Sequence, residues 1–191
     1  MRVPASLLVL LAAAGCAGPP APMQAKGPSP RATSSEETGP AGDVVSLSGA
    51  GEFTGSDTRA IAYDRKLVPA GAQASVTVES SAGQSRASLV VEGLLPGRRY
   101  GAHLHAKACG REPDEAGPHF QHHPGQVDAA SEYWLDVTTD GEGSGRATVR
   151  HEQGLTAGRL PGSLVIHAGP TVTSGPQAGQ AGDRVACLSL R

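Results

Sequence analysis

From about Val44 onward, apolar and polar positions alternate with period two in short segments, separated by turns that contain glycine. Successive side chains on a strand point to opposite faces, so such segments predict half-buried β-strands. Residues 74–79 (ASVTVE) and 85–91 (SRASLVV) flank the turn sequence Ser81-Ala82-Gly83-Gln84. Further strands are expected over residues 99–106, 133–138, 144–150, 163–168 and 184–190, with residues 58–63 as the first strand of the domain. Asp140-Gly141-Glu142-Gly143, between two of them, carries a hairpin-turn signature. No run of ten or more residues shows a helical apolar stripe. Seven or eight short antiparallel strands at this spacing predict an all-β fold, a Greek-key barrel or sandwich. No internal repeat is present.

The first 43 residues do not follow this pattern. One arginine precedes an apolar run over residues 5–14, half the roughly 20 residues that a bilayer-spanning helix needs. Residues 1–15 therefore read as a secretory leader. Ala14-Gly15-Cys16 resembles the lipobox of bacterial lipoproteins, in which the cysteine is acylated and becomes the mature N-terminus; Ala13 stands where a leucine is usual. The rival reading is an ordinary leader cleaved after Ala14, which would leave Cys16 as an exposed thiol. Residues 16–43 are rich in Pro, Gly, Ser and Ala and lack an apolar period, so they are expected to be a disordered tether. Residues 44–191 are then the folded domain, exported and held at the periplasmic face or cell surface by a lipid on Cys16.

Composition narrows the function. The chain has 191 residues with 26 Gly, 3% aromatic residues and a formal net charge of -2. Near-neutral charge excludes a general nucleic-acid binder, which needs a basic field.

Histidine carries the candidate chemistry. His103 and His105 bracket Leu104 within a strand-like run, so both imidazoles share one face while Leu104 enters the core. Two residues of strand span about 6.6 Å, and imidazoles so placed can converge on one ion at about 2 Å each. An isolated H-x-H pair on a strand is also a common idle surface feature.

Motifs elsewhere in the chain add specificity. Gly101-Ala102-His103-Leu104-His105, Cys109, Gly117-Pro118-His119-Phe120, Val165-Ile166-His167 and Gly182-Asp183-Arg184-Val185-Ala186-Cys187 occur in that order. This succession resembles the copper–zinc superoxide dismutase family over residues 58–191. The resemblance implies a Greek-key β-barrel. It implies copper held by His103, His105, His119 and His167, with His119 matching the histidine that bridges copper and zinc in zinc-containing members. It implies a disulfide between Cys109 and Cys187, and an arginine beside the copper, Arg184, whose fixed charge draws an anion. His119 and Arg184 are the expected catalytic residues and superoxide the expected substrate.

The zinc half of the family pattern is missing. Registering residues 136–140 on the strand that follows puts Tyr133 at the zinc aspartate and Ala130 at a zinc histidine. His122 or His123 can replace at most part of that set, and a structural zinc takes four ligands; the alternative is a solvated loop pair. The loss resembles the copper-only branch of the family, where a carboxylate supports the bridging-type histidine. Glu132 is the candidate for that role, with Asp128 behind it. Copper is thus the expected cofactor and zinc doubtful. The leading expectation is an extracytoplasmic superoxide dismutase, forming O₂ and H₂O₂; the alternative is a lipid-anchored copper-sequestering protein on the same scaffold with little turnover. The sequence leaves the oligomeric state open.

Overall fold

The computed structural model describes residues 44–57 and 59–191. The leader, Cys16 and the tether expected over residues 16–43 lie outside the described residues, apart from the boundary at Val44.

Among the described residues ten strands form, in chain order β1 (Val45–Glu52), β2 (Ala60–Ala62), β3 (Gln73–Ser81), β4 (Gln84–Glu92), β5 (Arg99–Tyr100), β6 (Ala102–His105), β7 (Val137–Thr138), β8 (Gly145–His151), β9 (Ser163–His167) and β10 (Arg184–Ser189). A single 3-10 turn, Pro113–Ala116, is the remaining regular element among the described residues. The strict alternation in β3 and β4 buries every second side chain, with Val76, Val78, Leu89 and Val91 facing inward. The turn between them has positive φ at both Ala82 and Gly83, the two-residue geometry whose twist matches antiparallel strands.

One sheet has the order β1-β3-β4-β8 and a second the order β2-β10-β9-β6; β5 and β7 form a short two-stranded ribbon. Backbone bonds from Ser48 N to Arg191 O (3.0 Å) and back from Arg191 N to Ser48 O (3.1 Å) join the first sheet to the C-terminus. The core fills the space between, including Phe53, Tyr100, Leu104, Leu164, Ile166 and Leu188. The expected all-β class holds.

Three expectations need correction. The first strand is β1, ahead of residues 58–63, of which three form β2. The pattern of β1 is masked by Gly49 and Gly51: a Cβ on Gly49 would stand 2.6 Å from Ser189 O, so close packing against β10 leaves room for hydrogen alone. The single strand expected over residues 99–106 divides at Gly101, where a Cβ would stand 2.5 Å from that of Ala181. Asp140 does organise a turn, its Oδ1 accepting from Glu142 N (3.0 Å) and Ser144 N (2.8 Å). The strands on either side nevertheless take other partners, β7 pairing with β5 and β8 with β4.

Candidate metal centre

Four segments bring the histidines together. β6 supplies His103 and His105, and its Leu104 is fully buried. Residues 118–121 run alongside, with Ala106 N donating to Pro118 O (2.9 Å) and Phe120 N to Leu104 O (2.8 Å), which sets His119 opposite His105. Residues 131–135 lie next: His103 faces Trp134 and Gln121 faces Glu132. β9 pairs with β6 and ends on His167.

The ligand atoms of His103, His105, His119 and His167 all lie within 4.8 Å of one another. Among the described residues, they form the single group of three or more such side chains able to hold a metal ion. Each ring is oriented by a bond on its far side. His105 Nδ1 bonds Gly117 O (2.9 Å) and His167 Nδ1 bonds Gly182 O (3.1 Å), which turns both Nε2 atoms inward. Those two Nε2 atoms are buried and have no partner. A buried polar atom without a partner is costly, and a metal ion is the group that satisfies both at once. His103 turns Nδ1 inward, 3.0 Å from His119 Nε2, while its Nε2 meets Thr171 Oγ1 at 2.6 Å.

Burial keeps His103, His105 and His167 neutral. It pushes His105 down to about 2 and His167 to about 4, helped by the other imidazoles and Arg184 against the carbonyl bonds that favour the charged form. His103 is held well below its ordinary value by burial and its three neighbouring rings. Neutral imidazoles with inward lone pairs are ready donors, and nitrogen ligands suit copper, which tops the divalent affinity series.

His119 differs from the rest because its outer nitrogen meets a carboxylate. Nδ1 lies 2.7 Å from Glu132 Oε2. The same carboxylate accepts from Trp134 Nε1 (2.8 Å) on Oε2 and from Gln121 Nε2 (2.7 Å) on Oε1. Glu132 is 1% exposed. Burial raises its carboxyl, and the three bonds outweigh that effect and hold it below its usual value. Neither Gln121 nor Trp134 stood out in the sequence; the chain's lone tryptophan two residues after a candidate carboxylate was the available signal.

The other sequence candidates sit elsewhere. His122 bonds through Nε2 to Tyr133 Oη (2.9 Å), within a ring cluster that includes Phe120 and His151. Tyr133 is buried and its hydroxyl is also 2.5 Å from Ser85 Oγ. His123 is exposed, with its backbone N–H donating to Ser131 Oγ (3.0 Å). Asp128 caps its own turn, accepting from Ala130 N (2.9 Å) and Ser131 N (3.0 Å), and so shapes the bend that delivers Glu132.

A cleft of about 550 Å³ opens onto His119 and His167 and is lined also by Glu132, Val127, Gly179 and Arg184. Arg184 starts β10 opposite His167, and the register slips between Arg184 and Ala186. A bulge of this kind re-aims a side chain. The guanidinium is fixed by Nη1 donating to Pro113 O (2.9 Å). Cys109 and Cys187 form the expected disulfide, which ties the segment bearing Pro113 to β10.

Comparison with known proteins agrees with this geometry. Residues 72–189 match the family described as Copper/zinc superoxide dismutase (SODC). No curated protein matches the chain by sequence. Among solved structures the fold is similar to that of the Cu/Zn superoxide dismutase from Brucella abortus, at 20% identity over 76% of this chain and 97% of that one, with a TM-score of 0.50. More than half of the chain lies within the family match, and the chain belongs to the copper/zinc superoxide dismutase family.

Proposed function

We propose that this chain is an exported, lipid-anchored superoxide dismutase that works with copper alone. The observation that carries the reading is the bond between His119 Nδ1 and Glu132, which fills the direction a second metal would need. Four inward nitrogens, from His103 Nδ1 and the Nε2 atoms of His105, His119 and His167, would hold the copper. Copper held there would supply one-electron redox chemistry, by which two superoxides and two protons give O₂ and H₂O₂.

The chain's own groups supply the rest. Arg184 places a permanent positive charge on the wall of the cleft, where it draws superoxide and orients it. Glu132 holds a proton on Nδ1 of His119, so His119 turns its Nε2 inward in one fixed orientation. Gln121 and Trp134 fix the carboxylate in turn. The apolar leader and Cys16 support attachment to a membrane after export, and the disulfide suits an oxidising compartment. His122 and His123 stay outside the centre in this reading.

The test is to load the disulfide-intact protein with one equivalent of copper and measure superoxide removal. Turnover that scales with bound copper and far exceeds that of Arg184→Ala is the expected result. A fully loaded protein no faster than Arg184→Ala points instead to copper sequestration on this scaffold.

A further inference from the structure

Residues 119–122 and 131–135 form a two-stranded ribbon, paired through Gln121 and Glu132. Side chains alternate between the two faces of such a ribbon. His119, Gln121, Glu132 and Trp134 gather on one face, joined through the Glu132 carboxylate. His122 and Tyr133 take the other face, with their ring centroids 5.3 Å apart and the Phe120 ring beside both. Tyr133 stands at the family's zinc aspartate, yet its side chain is fully buried on the side of the ribbon away from the histidine cluster.

That core-side face is tied down through one hydroxyl. Tyr133 Oη lies 2.5 Å from Ser85 Oγ on β4 and 2.9 Å from His122 Nε2. Ser85 gives its single hydroxyl proton to Gln153 O (2.6 Å), so the tyrosine hydroxyl donates to Ser85 and accepts from His122. The bonds therefore run from one ribbon segment through the other to β4 and to the segment after β8. A second tie comes from β8, where His151 lies edge-on to the Tyr133 ring at 4.4 Å and donates from Nδ1 to Ala130 O at 3.1 Å. Tyr133, Ser85 and His151 are all buried. A slip of either segment by one residue would exchange its faces, bringing Tyr133 out of the core and Glu132 out of reach of His119.

We propose that Tyr133 is a positioning residue: its hydroxyl, shared between Ser85 and His122, locks the register of the ribbon from the core side and so presents Glu132 to His119 on the opposite face. The proposal deepens the copper-alone reading, because it names the bonds that join the two segments without a second metal. Its central statement nevertheless concerns the metal-free chain.

NMR of the wild-type metal-free protein is the first test. The Tyr133 hydroxyl proton should exchange slowly enough to be observed and should lie close to the His122 ring; a hydroxyl that exchanges too fast to be seen overturns the proposal. Tyr133→Phe then keeps the ring and removes the shared atom. The backbone amides of Phe120, His122 and Glu132, which donate to Leu104 O, Ser131 O and Asp128 O, should exchange at least about tenfold faster in that variant, while those of β3 and β10 keep their rates. The Cu(II) EPR spectrum should change as well, and Ser85→Ala, which removes one of the two partners, should shift it less in the same direction. A uniform rise in exchange across all strands, or an unchanged Cu(II) spectrum, would reduce Tyr133 to a stability residue and overturn the positioning role. If Tyr133→Phe fails to fold, the wild-type hydroxyl and Ser85→Ala still decide. Stoichiometric zinc in the wild-type protein, or failure to take up copper, would instead count against the proposed function, and the hydroxyl and amide exchange would still decide this proposal.

Discussion

Glu132 Oε2 lies 2.7 Å from His119 Nδ1 and 2.8 Å from Trp134 Nε1, so one oxygen serves a copper-side imidazole and an indole together. With Gln121 on the other oxygen, the buried carboxylate gathers three donors from two neighbouring segments. It is therefore both a fold element and a support for the centre.

Removing that carboxylate should be felt first in stability. Glu132→Ala leaves three donors without their acceptor, and each buried unsatisfied donor costs about 1–3 kcal/mol. A loss of about 3 kcal/mol is expected in the metal-free protein, or roughly 6–12 °C in Tm for a domain of this size. Because the folded carboxyl titrates below its ordinary value, the wild-type advantage should be complete above about pH 4.3 and shrink as pH falls further. Denaturation of both proteins across pH reads this directly. Unchanged copper affinity together with an unchanged pH–rate profile in Glu132→Ala would remove the carboxylate from the account of the centre.

The neutral histidines make a separate prediction for the metal-free chain. In the unfolded state they take up protons near pH 6.5. Folded, His167 resists until about 4 and His105 until about 2. Below about pH 6.5 the unfolded state binds more protons, so stability must fall as pH is lowered, by about 1.4 kcal/mol per pH unit for each such histidine. The Tm of metal-free protein should drop steeply between pH 6.5 and 4, with the His167 share ending near 4. A flat curve over that interval would mean the rings are not held neutral.

How much of this the sequence disclosed depended on whether a feature was periodic or spatial. β3 and β4 follow from alternation alone, and the histidine cluster from ordered motifs. Alternation could not reveal β1, because Gly49 and Gly51 lack the side chains that would mark a face. Glu132 stood out by its place before a strand, whereas its partners Gln121 and Trp134 appear only when residues 119–122 and 131–135 lie side by side.

Arg184 gives a kinetic prediction. Its side chain is 20% exposed and is anchored to Pro113 O, so its charge is presented to the cleft in one place. Arg184→Ala should lower kcat/KM for superoxide by roughly 10–100-fold through lost steering, with copper content unchanged. The wild-type rate should fall with ionic strength and the variant rate should not. Stopped-flow decay of superoxide at several salt concentrations separates the two. Equal salt dependence would assign the steering to other charges.

The disulfide should contribute to both stability and site geometry. Cys109 and Cys187 are 78 positions apart, a closed loop worth about 4.5 kcal/mol in the chain-entropy account. The closed segment carries Pro113, whose carbonyl anchors Arg184. Cys109→Ser/Cys187→Ser should therefore lower the denaturation midpoint and also reduce turnover per bound copper. Loss of stability with turnover per copper intact would limit the bridge to a structural role.

Metal stoichiometry tests the copper-alone reading most directly. A second metal on the family pattern needs His119 Nδ1 and three further ligands, and each position here is either engaged elsewhere or without a donor. Nδ1 is bonded to Glu132. Tyr133, at the expected aspartate position, is buried with its hydroxyl against Ser85 and His122, and burial pushes that hydroxyl up to about 12. Ala130 offers no donor, and His122 turns toward Tyr133 rather than His119. Tetrahedral zinc would have to displace these contacts while finding four ligands. Protein exposed to excess copper and zinc, then desalted, should carry one copper and no zinc per chain by elemental analysis. In Glu132→His the same loading could draw zinc to Nδ1, which would show that the carboxylate is what keeps it out. Stoichiometric zinc in the wild-type protein would overturn the copper-alone reading while leaving the four-histidine copper site standing.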